Sequence, residues 1–104
     1  MGSHAVADFE ILSERENSSG WWFEAQMICD EGGGLRRVTL LLAWADYNLW
    51  SVDGADRPTA VAEAALSYLI SEVGADAIPD RFDASIIRRR FPDADREIPK
   101  LIRR

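Results

Sequence analysis

The sequence predicts an α+β fold: a curved antiparallel sheet of three to four strands in the N-terminal half, with one long and two short C-terminal helices packed on one face. Two observations lead there. Apolar residues alternate with period two in three segments before residue 45, and the segments are separated by turn-forming sequences. After residue 57 the period becomes that of a helix, with proline and glycine at its ends. Strands first and helices afterwards is the order expected of an α+β domain.

The first strand lies in "ADFEILSERE", where Phe9 and Ile11 alternate with Asp8, Glu10 and Glu14. "NSSG" at 17–20 is turn chemistry. In "WWFEAQMICD", Phe23, Ala25, Met27 and Cys29 share one face, and Trp22, Glu24, Gln26 and Ile28 share the other. "EGGG" breaks the chain, and "LRRVTLLLAW" resumes with Val38, Leu40, Leu42 and Trp44 on the inner face. Glycine-bearing turns between such segments predict an antiparallel meander. The next residues, "AWADYNLW" at 43–50, fit a strand or a helix. The β-rich run before them favours a strand through about residue 45, with Trp44 inward and Asp46 and Asn48 at a bend or edge.

Helical period follows in "PTAVAEAALSYLISEVG", with Pro58 in the first turn and Gly74 just past the end. Val61, Ala65, Leu69 and Val73 recur every fourth residue, and Leu66 and Ile70 widen the stripe. "GADAIPDRF" reads as a loop that tucks Ile78 and Phe82 into the core. Asp83 can cap a short helix ending near Phe91, with Ile87 inward. Asp93 can cap a last helix that Pro99 must kink or divide.

At 104 residues the chain is the size of a single domain, placed at residues 5–104. "MGSH" reads as an expression leader, which sets aside His4, the only histidine. Without another histidine, a hydrolytic triad lacks its usual base. One cysteine, Cys29, allows no intrachain disulfide and fits a reducing, cytoplasmic setting. No four-ligand zinc site can be assembled, and no cofactor is expected. "DYNLWSVDG" starts like a calcium loop, but Ser51 stands where glycine is needed and Arg57 where glutamate is needed. The glycines at 32–34 lead into a strand rather than a helix, so they form no phosphate cradle. Asp53 and Asp56 read as turn residues capping the long helix. No apolar run reaches the roughly 20 residues that span a bilayer.

The net charge is −6 and is unevenly distributed. Up to Asp80 there are four arginines against 14 carboxylates; from Arg81 onward, eight basic residues face four acidic ones. The acidic body argues against nucleic acid, which needs a net positive surface. Two candidate surfaces remain. One is the sheet face the helices leave uncovered, carrying Leu12, Trp22, Ile28 and Leu41, to which Tyr47 and Trp50 are added. An apolar patch rimmed by carboxylates suits a protein partner or self-association as a homodimer. The alternative is a nucleic-acid-associated regulator using the basic patch Arg88, Arg89, Arg90, Arg96 and Lys100. A third reading, an enzyme built on carboxylates such as Asp46 near the aromatics, comes with no substrate.

Overall fold

The structure, a computed structural model, describes residues 9–29 and 34–103; the expected leader with His4 and the expected turn glycines 32 and 33 lie outside the described residues. It is an α+β fold whose four-stranded sheet has the order β1-β2-β3-β4. β1 (Phe9–Asn17), β2 (Gly20–Ile28) and β3 (Leu35–Ala43) form the expected antiparallel meander. Trp21, Phe23, Ala25 and Met27 alternate into the core, joined by Val38, Leu40 and Leu42 of β3. The first turn is built as its residues suggest: the Asn17 side-chain oxygen accepts from the amides of Ser19 and Gly20. Gly20 has φ +152°, and a Cβ there would lie 2.2 Å from the Leu42 carbonyl oxygen. Only glycine lets the strands approach so closely.

The chain departs from the expected strand at Ala43. α1 (Trp44–Trp50) begins at once, so the residues read as a bend or edge are helical. Trp44, expected inward, is 41% exposed, because helical geometry rotates it away from the Leu40 and Leu42 face. Its ring lies against that of Trp21, tilted by 51° with centroids 4.3 Å apart. Tyr47 and Trp50 turn inward instead, and Tyr47 Oη donates to the carbonyls of Gly54 and Asp56. Asp53 and Asp56 do not cap the next helix. Asp53 accepts from the Ala55 amide, and Asp56 accepts from the Ser51 hydroxyl.

α2 (Pro58–Val73) has the expected boundaries, with Gly74 past its end at φ +84°. Val61, Ala65, Leu66 and Leu69 are buried, and Ile70 and Val73 pack at the core margin. A 3-10 turn at Ala75–Ala77 leads to β4 (Arg81–Asp83), which pairs parallel with β3. The sequence reading placed a loop here; three residues are too few to show a period, and pairing with β3 holds them extended. Ile78 and Phe82 are buried as expected. Arg36 of β3 straps this loop down, donating to the carbonyls of Ala75 (3.0 Å) and Ile78 (2.6 Å) and to Asp80 (2.6 Å).

α3 (Ser85–Arg90) follows a turn in which Asp83 Oδ1 accepts from the Ser85 amide, and α4 (Ala94–Leu101) completes the helical layer. Pro99 sits in the last turn of α4 and does not divide it. Ile87, Ala94, Ile98 and Ile102 seal the core against α2 and the sheet.

One irregularity alters the face assignment. The β1–β2 register shifts between Ile11 and Ser13, making Leu12 the extra residue of a β-bulge. Beyond it the parity of β1 reverses. Ser13 and Arg15 therefore lie opposite Glu24 and Trp22 on the outer face. Glu14, expected to face solvent with Glu10 and Glu24, turns to the helical side, where its carboxylate accepts from the Thr59 hydroxyl at the start of α2.

Candidate interaction surface

None of the described helices lies on the outer face of the sheet, which can be read row by row from the register. Arg15, Trp22, Leu41 and Asp83 form one cross-strand row. Ser13, Glu24, Thr39 and Arg81 form the next, followed by Glu10, Gln26 and Arg37. The last row is the pair Ile28 and Leu35, 43% and 64% exposed.

Trp22 sits near the middle of this face, half-buried, with the guanidinium of Arg81 4.5 Å above its ring. That contact is a cation–π interaction, and it fixes the orientation of both side chains. Around them is an open groove of about 290 Å³ lined by Ser13, Arg15, Trp22, Glu24, Thr39 and Arg81, with Phe23 at its floor. Glu24 pairs with Arg37 at 3.5 Å. Arg15 and Arg81 form no ion pair among the described residues. An open groove of this kind suits a flat macromolecular contact better than the enclosure of a small molecule, which takes a concave, mostly apolar site.

Four of the six residues assigned to this surface from the sequence belong to it or its margin. Trp22 and Leu41 are neighbours in one row, Ile28 pairs with Leu35, and Leu12 is exposed at the bulge on the β1 edge. Tyr47 and Trp50 do not belong to it. Both are buried, and Trp50 has no exposed surface at all, because α1 carries them to the helical side of the sheet. Arg15, Leu35, Thr39, Arg81 and Asp83 were missed. Arg81 and Asp83 were hidden because β4 was read as a loop, and Arg15 because the bulge moved it.

The basic residues do not form one free patch. Arg88 reaches inward: Nη1 donates to the buried Asp46 at 3.1 Å and Nε to Asp95 at 3.2 Å. Asp95 also accepts from Trp50 Nε1 at 2.9 Å, so α1, α3 and α4 meet in one polar network. Burial pushes the Asp46 carboxyl above its ordinary value, opposed by the hydrogen bond and charge of Arg88. Arg96 pairs with Asp93 and Glu97, and Lys100 pairs with Glu97. The Arg96 hydrogen bond and the Lys100 charge hold the Glu97 carboxyl below its ordinary value. Arg90 lies over the Phe91 ring, and Arg89 is exposed.

Among the described residues, no group of three His, Cys, Asp or Glu side chains could hold a metal ion. No described helix is long and apolar enough to cross a membrane. No protein-family model matches the chain, and no curated protein or solved structure is significantly similar to it.

Proposed function

We propose that the protein is a non-catalytic interaction module that binds another protein, or a second copy of itself, through the outer face of its sheet. The observation that carries this is the position of Trp22. A large aromatic stands at the centre of a sheet face with no helix over it, beside Leu41, between Arg15 and Arg81. Trp and Arg are the residues most enriched in interface hot spots, and a central aromatic inside a polar rim is their usual setting. The lone Cys29 fits a reducing compartment, so the proposal places the module in the cytoplasm. The nucleic-acid reading has weaker support, since Arg88, Arg96 and Lys100 already face carboxylates of the same chain.

A photo-crosslinking residue at Thr39, beside Trp22 on the outer face, tests the proposal in the cells that make the protein. The expected result is a discrete protein adduct from Thr39, weakened by Trp22→Glu, and none from the same residue at Asn48, exposed on α1. No adduct from Thr39, or equal yields from both positions, would remove the basis for the proposal.

A further inference from the structure

We infer that the occupant of the outer sheet face is a second copy of this chain, stacked sheet on sheet about a two-fold axis that runs along the strands between β2 and β3. The inference rests on the interaction-module reading and names its partner.

The first ground is charge. The chain carries −6 overall, so most of its surface repels a copy of itself. The outer face is different: Arg15, Arg37 and Arg81 are balanced there by Glu10, Glu24 and Asp83.

The second ground is register. A two-fold axis in the plane of the interface lays β1 over the partner's β4 and β2 over the partner's β3, keeping each cross-strand row opposite itself. An isologous contact needs a patch that is its own complement under that operation. Two of the four rows, the row of Trp22 and the last, meet the condition. In the row of Trp22, Arg15 comes over Asp83 and Trp22 over Leu41, each pair occurring twice. At the far end of the strands, Ile28 comes over Leu35, which joins two of the most exposed apolar side chains of the sheet. Moving the axis onto β2 would instead set Arg15 opposite Leu41 and leave Asp83 beyond the partner's sheet. The alignment is thus specified by charge as well as by apolar contact.

The third ground is area. About this axis the nine-residue strands β2 and β3 overlap fully but β1 meets only the three residues of β4, so at about 3.3 Å per residue and about 4.8 Å between strands the overlap is roughly 400 Å². Two such faces bury on the order of 800 Å², the size of a weak, reversible protein contact. Sheets stacked this way cross at about −30°, so pairs near the axis fit best.

The test is sedimentation equilibrium from about 1 to 500 μM, a range that brackets dissociation constants expected for an interface of this size, with thermal melting as the check on folding. The wild type is expected to dimerise and Trp22→Glu to weaken the dimer at least about thirty-fold. Arg15→Asp and Asp83→Arg each set like charges opposite one another and are expected to be monomeric singly. Mixed together they restore both pairs and are expected to form a heterodimer. A wild type that stays monomeric throughout overturns the inference, as does a dimer indifferent to Trp22→Glu or variants that mixing does not rescue. Crosslinking from Thr39 separates the two levels. An adduct of twice the chain mass agrees with the dimer, a single foreign adduct overturns the dimer but leaves the interaction module standing, and no adduct removes both.

Discussion

Replacing Arg88 by leucine tests how the helical layer is held together. The substitution keeps an aliphatic side chain but removes the only cation among the described residues that bonds to Asp46, whose own surface is 2% exposed. Deleting one partner of a buried ion pair costs about 3–5 kcal/mol, mostly from the charge left behind. Arg88 is itself 37% exposed, so water can replace part of its contact. The expected loss near neutral pH is therefore about 2–3 kcal/mol, or a fall in Tm of roughly 10–15 °C for a chain of this size. The pH dependence has a definite sign. Burial already holds the folded-state pKa of Asp46 above its ordinary value of 3.8, and losing Arg88 removes the two largest opposing influences. A raised carboxylate pKa means that the folded state keeps its proton where the unfolded state has lost it. Stability from this group is full below the unfolded value and declines as pH rises through the folded value. The deficit of the variant should therefore shrink as pH falls below 3.8 toward about pH 3, where Asp46 is largely neutral in both states. Urea unfolding followed by circular dichroism, for wild type and variant near neutral and at about pH 3, measures both quantities. A deficit below about 0.5 kcal/mol, the level of an ordinary surface substitution, or one equal at the two pH values, would refute the reasoning.

Other outcomes can be checked in the same way. Asp46→Asn should flatten the dependence of stability on pH just above 3.8, as titration of urea midpoints would show. Gly20→Ala should cost at least about 3 kcal/mol, because its Cβ would meet β3 backbone that has no flexible end to move and φ +152° adds strain; a Tm within 5 °C of wild type would contradict this. Trp50→Phe should lose about 1–2 kcal/mol in urea unfolding, chiefly from the buried ring volume removed, because Asp95 is 43% exposed and can take water in place of the indole donor. Thr59→Ala, at an exposed contact with Glu14, should change stability by less than about 0.5 kcal/mol in the same assay.

The alternation of Phe23, Ala25 and Met27 against Glu24 and Gln26 made the meander and its two faces legible, because strand parity is a local property of the chain. Pro58 and Gly74 marked the ends of α2 for similar reasons. Where local signals were weak, tertiary contacts decided. α1 has no side-chain cap at Ala43 and only seven residues, so burial of Tyr47 and Trp50 sustains it rather than propensity. The Arg88 contact with Asp46 spans 42 residues, and no helix periodicity near Arg88 could show that its charge was already engaged. The bulge at Leu12 had a comparable effect on the candidate surface. A single extra residue exchanged the faces of Glu14 and Arg15, and with them the charge of the groove.

The same bulge bears on edge-to-edge pairing of the sheet. A nine-residue edge strand is a template on which another chain can extend the sheet, the first step toward a fibre. β1 is bent at Leu12 and carries Glu10, Glu14, Arg15 and Glu16 along its length, both of which blunt strand addition. At the opposite edge, Arg36 anchors the 75–80 segment beside β3 and leaves only the three residues of β4 outermost. Growth sideways is opposed at both margins. A chain with guarded margins can display tryptophan and leucine on a sheet face without offering an edge on which a ribbon could grow.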